Sequence, residues 1–120
     1  MIQTTNPATG ETIATYDTLD QNGIDARLET AARTFRDWRT TPVSRRTEVL
    51  HALGGLFESQ NEELARLAVT EMGKPITQAR AEVSKCADLL HHYAENGPPM
   101  LESKTWQLSD GGMAEGRWLP

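Results

Sequence analysis

From about residue 20 to residue 99 the apolar residues recur at helical spacing with no strand-like run among them, so this chain holds no central sheet of its own. Ile24, Leu28, Ala31, Ala32, Phe35 and Trp38 form one stripe, with Asp20 placed as N-cap, Trp38 expected in the core and Pro42 expected to end the helix. A second helix is expected from about Ser44, turning Val49, Leu50, Leu53, Leu56 and Phe57 inward. Its Gly54-Gly55 pair lowers helix propensity by about 1 kcal/mol per glycine against alanine. Either a close helix crossing or simple tolerance explains the two glycines. Ser59-Gln60-Asn61-Glu62 has capping-box spacing and opens a short third helix carrying Leu64, Leu67 and Ala68, with Gly73 as the residue just past its end. Pro75 suits the first turn of a fourth helix, whose buried face is marked by Ile76, Ala79, Val83, Cys86, Ala87, Leu90, Tyr93 and Ala94. Asn96-Gly97-Pro98-Pro99 is expected to stop it.

Strand signals lie only at the two ends. Asn6-Pro7-Ala8-Thr9-Gly10 collects turn chemistry ahead of the alternating Thr12-Ile13-Ala14-Thr15-Tyr16, which predicts a β-hairpin. Thr105–Leu108 and Gly116–Leu119 flank Ser109-Asp110-Gly111-Gly112 and read as a second strand pair, across which Trp106 and Trp118 are placed to face each other. The expected organisation is thus a hairpin over residues 1–17, a helical part over 18–99 and a strand pair over 100–120. Four amphipathic helices between two strand pairs make an odd closed domain, and the terminal strands leave unpaired edges.

At 120 residues the chain is one domain at most. Its 12 basic and 17 acidic residues give a net charge of −5, with scattered arginines and no basic block, which argues against nucleic-acid binding. The first residues lack the basic and apolar segments of a signal peptide, and no run approaches the ~20 apolar residues that span a bilayer. The single cysteine cannot form an internal disulfide. A cytoplasmic protein with no membrane or nucleic-acid partner is expected.

A search for chemistry returns almost nothing. No glycine-rich turn follows a strand, so no phosphate cradle is expected. His91 and His92 are helix neighbours pointing about 100° apart, and His51 stands alone on another helix, so no metal site is expected. Cys86 sits on the apolar stripe of the fourth helix between Val83 and Leu90, where a thiol is inert; Lys85 points elsewhere. Glu62-Glu63 suits a helix start and is no acid–base pair. Trp38, Trp106 and Trp118 are too dispersed to stack bases.

The order of the pieces carries more than any one of them. Asn6-Pro7-Ala8-Thr9-Gly10-Glu11 is followed by Phe35-Arg36-Asp37-Trp38, by Ser44-Arg45-Arg46 and by Glu71-Met72-Gly73-Lys74-Pro75. This series resembles the N-terminal part of the aldehyde dehydrogenase superfamily over essentially all 120 residues. Glu82-Val83-Ser84-Lys85-Cys86-Ala87 with Tyr93-Ala94-Glu95-Asn96 resembles bacterial succinate-semialdehyde dehydrogenases.

The resemblance implies an α/β fold of aldehyde dehydrogenase type and oxidation of an aldehyde to an acid. A cysteine thiolate would form a thiohemiacetal, hydride would pass to NAD or NADP, and a glutamate base would activate water. A backbone N–H and an asparagine would hold the oxyanion. In the family these groups lie further along than Pro120, the asparagine in a segment beginning shortly after a place like Arg117-Trp118-Leu119-Pro120. No catalytic, cofactor-binding or metal residue is therefore expected among these 120, and the chain alone is expected to bind no cofactor and to be inactive. Cys86 does not match the nucleophile motif, nor Lys74 and Lys85 the later lysine that contacts the cofactor. Glu71 falls where some relatives hold a structural monovalent cation, and Gln78 and Glu82 where the fourth helix borders the substrate tunnel. The terminal strands resemble the arm that bridges subunits, so a homo-oligomer is implied. Two other classes remain open: a non-catalytic module that docks on dehydrogenase subunits through its strand edges, and an unrelated small helical binding protein.

Overall fold

The computed structural model describes residues 1–118. Its elements run β1 (Ile2–Thr5), β2 (Thr12–Tyr16), α1 (Gln21–Trp38), α2 (Val43–Ser59), α3 (Asn61–Met72), α4 (Ile76–Met100), β3 (Lys104–Gln107) and β4 (Met113–Gly116). The strands form two separate antiparallel pairs, β1 with β2 and β3 with β4. No helix among the described residues is long and apolar enough to cross a membrane.

The first hairpin follows its turn chemistry. Asn6 Oδ1 accepts from the Ala8 N–H at 2.9 Å, and Gly10, at φ 74°, donates its N–H to the Asn6 carbonyl at 2.8 Å. Ile2 then lies opposite Tyr16 and Thr5 opposite Thr12, with a slip between Thr4 and Thr5.

Asp20 caps α1 as expected, its Oδ1 accepting from the Gly23 N–H at 2.8 Å. The helix ends at Trp38, four residues short of Pro42, which is the N-cap of α2. Arg46, one turn into α2, closes that end by donating to the carbonyls of Trp38, Arg39 and Thr41 at 2.9–3.0 Å. Trp38 is not a core residue: it is 44% exposed, with the Arg46 guanidinium 5.7 Å from its ring centre. No residue of α1 is buried.

The capping box at Ser59 does not form. Ser59 is the last residue of α2, and its hydroxyl donates back to the Leu56 carbonyl at 3.2 Å. A capping side chain needs an extended backbone, and here Gln60 alone breaks the two helices, without a side-chain cap bond. Gly73 ends α3 at φ 68° with its N–H on the Val69 carbonyl at 2.9 Å. Pro75 is the N-cap of α4 and not its first turn.

Pro98 and Pro99 do not stop α4, which runs through them to Met100. The fixed φ of proline is itself helical, so two prolines near a helix end forfeit two donors without forcing the chain out of the helix. The Leu101 N–H then closes the end on the Pro98 carbonyl at 3.0 Å.

The expected second strand pair is shifted. Leu108 exchanges bonds across the turn, donating to Gly112 at 2.8 Å and accepting from Gly111, at φ 85°, at 3.1 Å. So tight a turn lets the return strand begin at Met113 rather than Gly116, with Trp106 opposite Ala114. Leu119 and Pro120, the end of the strand expected from the sequence and of the junction expected to lead to the asparagine, lie outside the described residues.

The core is small and lies where α2, α3 and α4 meet. Ala65, Ala79 and Val83 are its buried members, ringed by Phe57, Leu64, Ala68, Val69 and Ile76. Alanines at the contact let α3 and α4 approach closely, and Ala87 and Ala94 continue the buried line along α4. Leu90 and Cys86 are only half-buried there, and Tyr93 is exposed.

Candidate functional site

Where His91 of α4 lies against α2 it meets a glycine. Gly54 is buried, and a Cβ added to it would stand 2.7 Å from Cε1 and Nε2 of His91. Gly55 would meet nothing within 4 Å. The first glycine is therefore a crossing point and the second is tolerated. With its ring laid on the α2 backbone, His91 brings Nδ1 to 3.2 Å from Nδ1 of His51 and Nε2 to 3.4 Å from Oε1 of Glu58.

His51 is thus not a lone helix histidine. Forty residues separate the pair, and only the antiparallel packing of α2 on α4 unites them. The local signal was the small residue three places after His51. His92, the neighbour first paired with His91 in sequence, points away, its ring edge-on to Tyr93.

A second polar cluster joins α3 to α4. Arg80 donates to both carboxylate oxygens of Glu62 at 2.7 and 3.0 Å, and Arg66 reaches the same group at 2.8 Å. The Arg80 hydrogen bond, aided by the charges of Arg80 and Arg66, holds the Glu62 carboxyl below its ordinary range. Asn61 adds bonds to the Arg80 carbonyl and the Ser84 hydroxyl at 3.2 and 3.1 Å. Nearby, Lys74 pairs with Glu82. Gln78 and Glu71 are exposed.

Cys86 is a half-buried free thiol with no hydrogen-bonded base, which leaves it without the activation a nucleophilic cysteine needs. No three His, Cys, Asp or Glu residues among those described are placed to share a metal ion. Gly54 and Gly55, the only adjacent glycines ahead of the terminal strands, lie mid-helix and cradle no phosphate.

Trp106 and Trp118 border one open hollow with Met100, Lys104 and Arg117. Trp106 lies on Gly116, whose added Cβ would stand 3.0 Å from its ring. The two indoles are 52% and 70% exposed.

Known proteins share both this sequence and this arrangement. A family model described as the aldehyde dehydrogenase family matches residues 1–120. A succinate semialdehyde dehydrogenase [NAD(P)+] of Escherichia coli is 46% identical over 99 residues, 82% of this chain and 21% of that protein. A succinate-semialdehyde dehydrogenase [NADP(+)] of Mycobacterium tuberculosis is 36% identical, over 99% of this chain and 26% of its own length. Among solved structures, succinic semialdehyde dehydrogenase from Streptococcus pyogenes, in complex with NADP+, superposes with a TM-score of 0.86 at 30% identity, covering 94% of this chain and 25% of that one. The chain spans about a quarter of the length of these relatives. A match over its whole length, with the two strand pairs and four helices in the family's arrangement, makes this chain a member of the aldehyde dehydrogenase family.

Proposed function

We propose that the chain forms the N-terminal part of an NAD(P)-dependent dehydrogenase that oxidises succinate semialdehyde to succinate, and that alone it is inactive. The observation that carries this reading is the 46% identity to the Escherichia coli enzyme of that name. The nucleophilic cysteine, the glutamate base and the oxyanion-binding asparagine then belong to the remaining three quarters. In this reading the α2–α4 unit is a packing scaffold, Glu82 and Gln78 lie near the substrate tunnel, and Glu71 near a structural cation. The β3–β4 pair serves as the arm of a homo-oligomer. A cytoplasmic setting belongs to the same reading, in keeping with a single free thiol.

The test replaces the matching quarter of the Escherichia coli enzyme with residues 1–120 of this chain. The chimera is expected to form reduced nicotinamide from succinate semialdehyde, and the 120-residue chain alone is expected to form none. Turnover by the chain alone, or a chimera that assembles but leaves the substrate untouched, overturns the reading.

One observation favours a second reading. Both strand pairs are two-stranded with open outer edges, and the later pair exposes Trp106 and Trp118. Such edges suit a non-catalytic module that adds its strands to dehydrogenase subunits. Sedimentation of the chain with an intact relative distinguishes the two: co-migration supports the module, and independent migration removes it.

A further inference from the structure

The Nδ1 atoms of His51 and His91 are 3.2 Å apart while their ring centres are 5.5 Å apart. The difference is about two imidazole radii, so both nitrogens lie close to the line joining the rings and their lone-pair directions oppose each other. A metal ion bound at about 2.0–2.1 Å from each nitrogen does not fit on so short a line. A single proton does.

We propose that His51 and His91 form a one-proton latch across the α2–α4 crossing, closed by a shared N–H···N bond and opened when the pair takes up a second excess proton. The inference is independent of the dehydrogenase reading. In the neutral pair His91 carries its proton on Nε2, facing Glu58, and its Nδ1 accepts from the Nδ1–H of His51. One added proton goes to His51 Nε2 and leaves the shared bond intact, now donated by a cation and therefore stronger. The next can go only to His91 Nδ1, which turns both nitrogens into donors facing each other. The rings must then part, and His91 swings off Gly54.

The charged groups around the pair come from the helices packed about it. On α2 they are Glu58 and, one turn before His51, Glu48, which is paired with Arg45. On α4 they are Asp88 and Glu95, one turn either side of His91, with His92 adjacent. From α3 only the uncharged Asn61 reaches the hollow shared by Glu58, Ser84 and Asp88.

The test is nitrogen-detected NMR of the full chain with labelled histidine, at about pH 8 and about pH 5, bracketing the range over which imidazole titrates. At the higher pH the expected result is Nδ1–H on His51, Nε2–H on His91 and cross-relaxation between the two rings. At the lower pH both rings carry two protons and the cross-relaxation disappears while that between Ala65 and Ala79 persists. A double-mutant cycle of His51→Gln and His91→Gln, read by urea unfolding, should give a coupling of about fivefold in the unfolding constant near pH 8, the usual worth of one hydrogen bond, and none near pH 5. His92→Gln should behave like the unmutated chain. Both rings in the Nε2–H form, rings that never approach, or a coupling unchanged by pH would each overturn the latch; the tautomer readout needs no variant to fold.

Discussion

At the scale of single residues the glycines do opposite work, and substitution separates them. In Gly55→Ala the new methyl meets nothing within 4 Å, so the gain in helix propensity is undiluted, and the chain should gain about 1 kcal/mol. Gly54→Ala gains the same propensity but drives a Cβ to 2.7 Å from the His91 ring. The ring can swing outward, at the loss of its bond to His51, worth about 1 kcal/mol, so the two effects should nearly cancel. Urea unfolding of the two variants checks this, and equal gains would mean that the helices do not cross closely. Gly73→Ala has no such compensation. Its φ of 68° costs a residue with a Cβ about 1–2 kcal/mol, and that Cβ would also press on Pro7 Cγ at 3.0 Å. A loss of at least this size is expected, with Gly73→Asn less affected because asparagine tolerates the left-handed region.

At the scale of elements, the α3–α4 brace centres on Glu62, and its pH dependence has a definite sign. The folded carboxyl is held below its ordinary range, chiefly by the Arg80 hydrogen bond. Its stabilisation is therefore present above the ordinary carboxylate range and is lost as pH falls through the lowered value. Glu62→Gln should melt below the unmutated chain near neutral pH and together with it in strong acid; a gap that persists in acid would assign the effect to packing. The effect is modest, because the pair is open to solvent. The same helices show what the sequence can disclose. Asp20, Gly73 and the Asn6–Gly10 turn act within a few residues of themselves, so spacing alone reveals them. Ser59 failed as a cap because α2 runs on to include it, and its hydroxyl turns back to the Leu56 carbonyl. Trp38 was expected inside because its stripe is apolar, but periodicity says only that a face is apolar, not what covers it. The His51–His91 contact spans two elements, and no local pattern encodes it.

At the scale of the whole molecule, shape explains why so apolar a set of helices buries so little. The radius of gyration is 21.2 Å and the extents are 70 × 41 × 26 Å, where a compact chain of this length has a radius of about 14 Å. The accessible surface is 9435 Å², against about 6,500 Å² for a compact protein of 13.3 kDa. The excess, on the order of 3,000 Å² on this one chain, is larger than the roughly 800 Å² that each partner gives to a standard interface. It includes Leu28 and Phe35 of α1 and Leu53 and Leu56 of α2, all open. Among the described residues only five apolar ones are buried, none larger than valine, so cooperativity in the isolated chain must come from the α2–α4 unit. The isolated chain should therefore bind a hydrophobic dye, unfold over a broad urea range and exchange the α1 amides fast while those of α4 around Ala79–Ala87 exchange slowly. Grafted into the Escherichia coli enzyme, the same α1 amides should become protected, because the stripe from Ile24 to Trp38 would then be covered. Hydrogen exchange of both forms decides it: α1 equally protected in each would mean that the helix is stable without a partner, and that the open stripe is no interface.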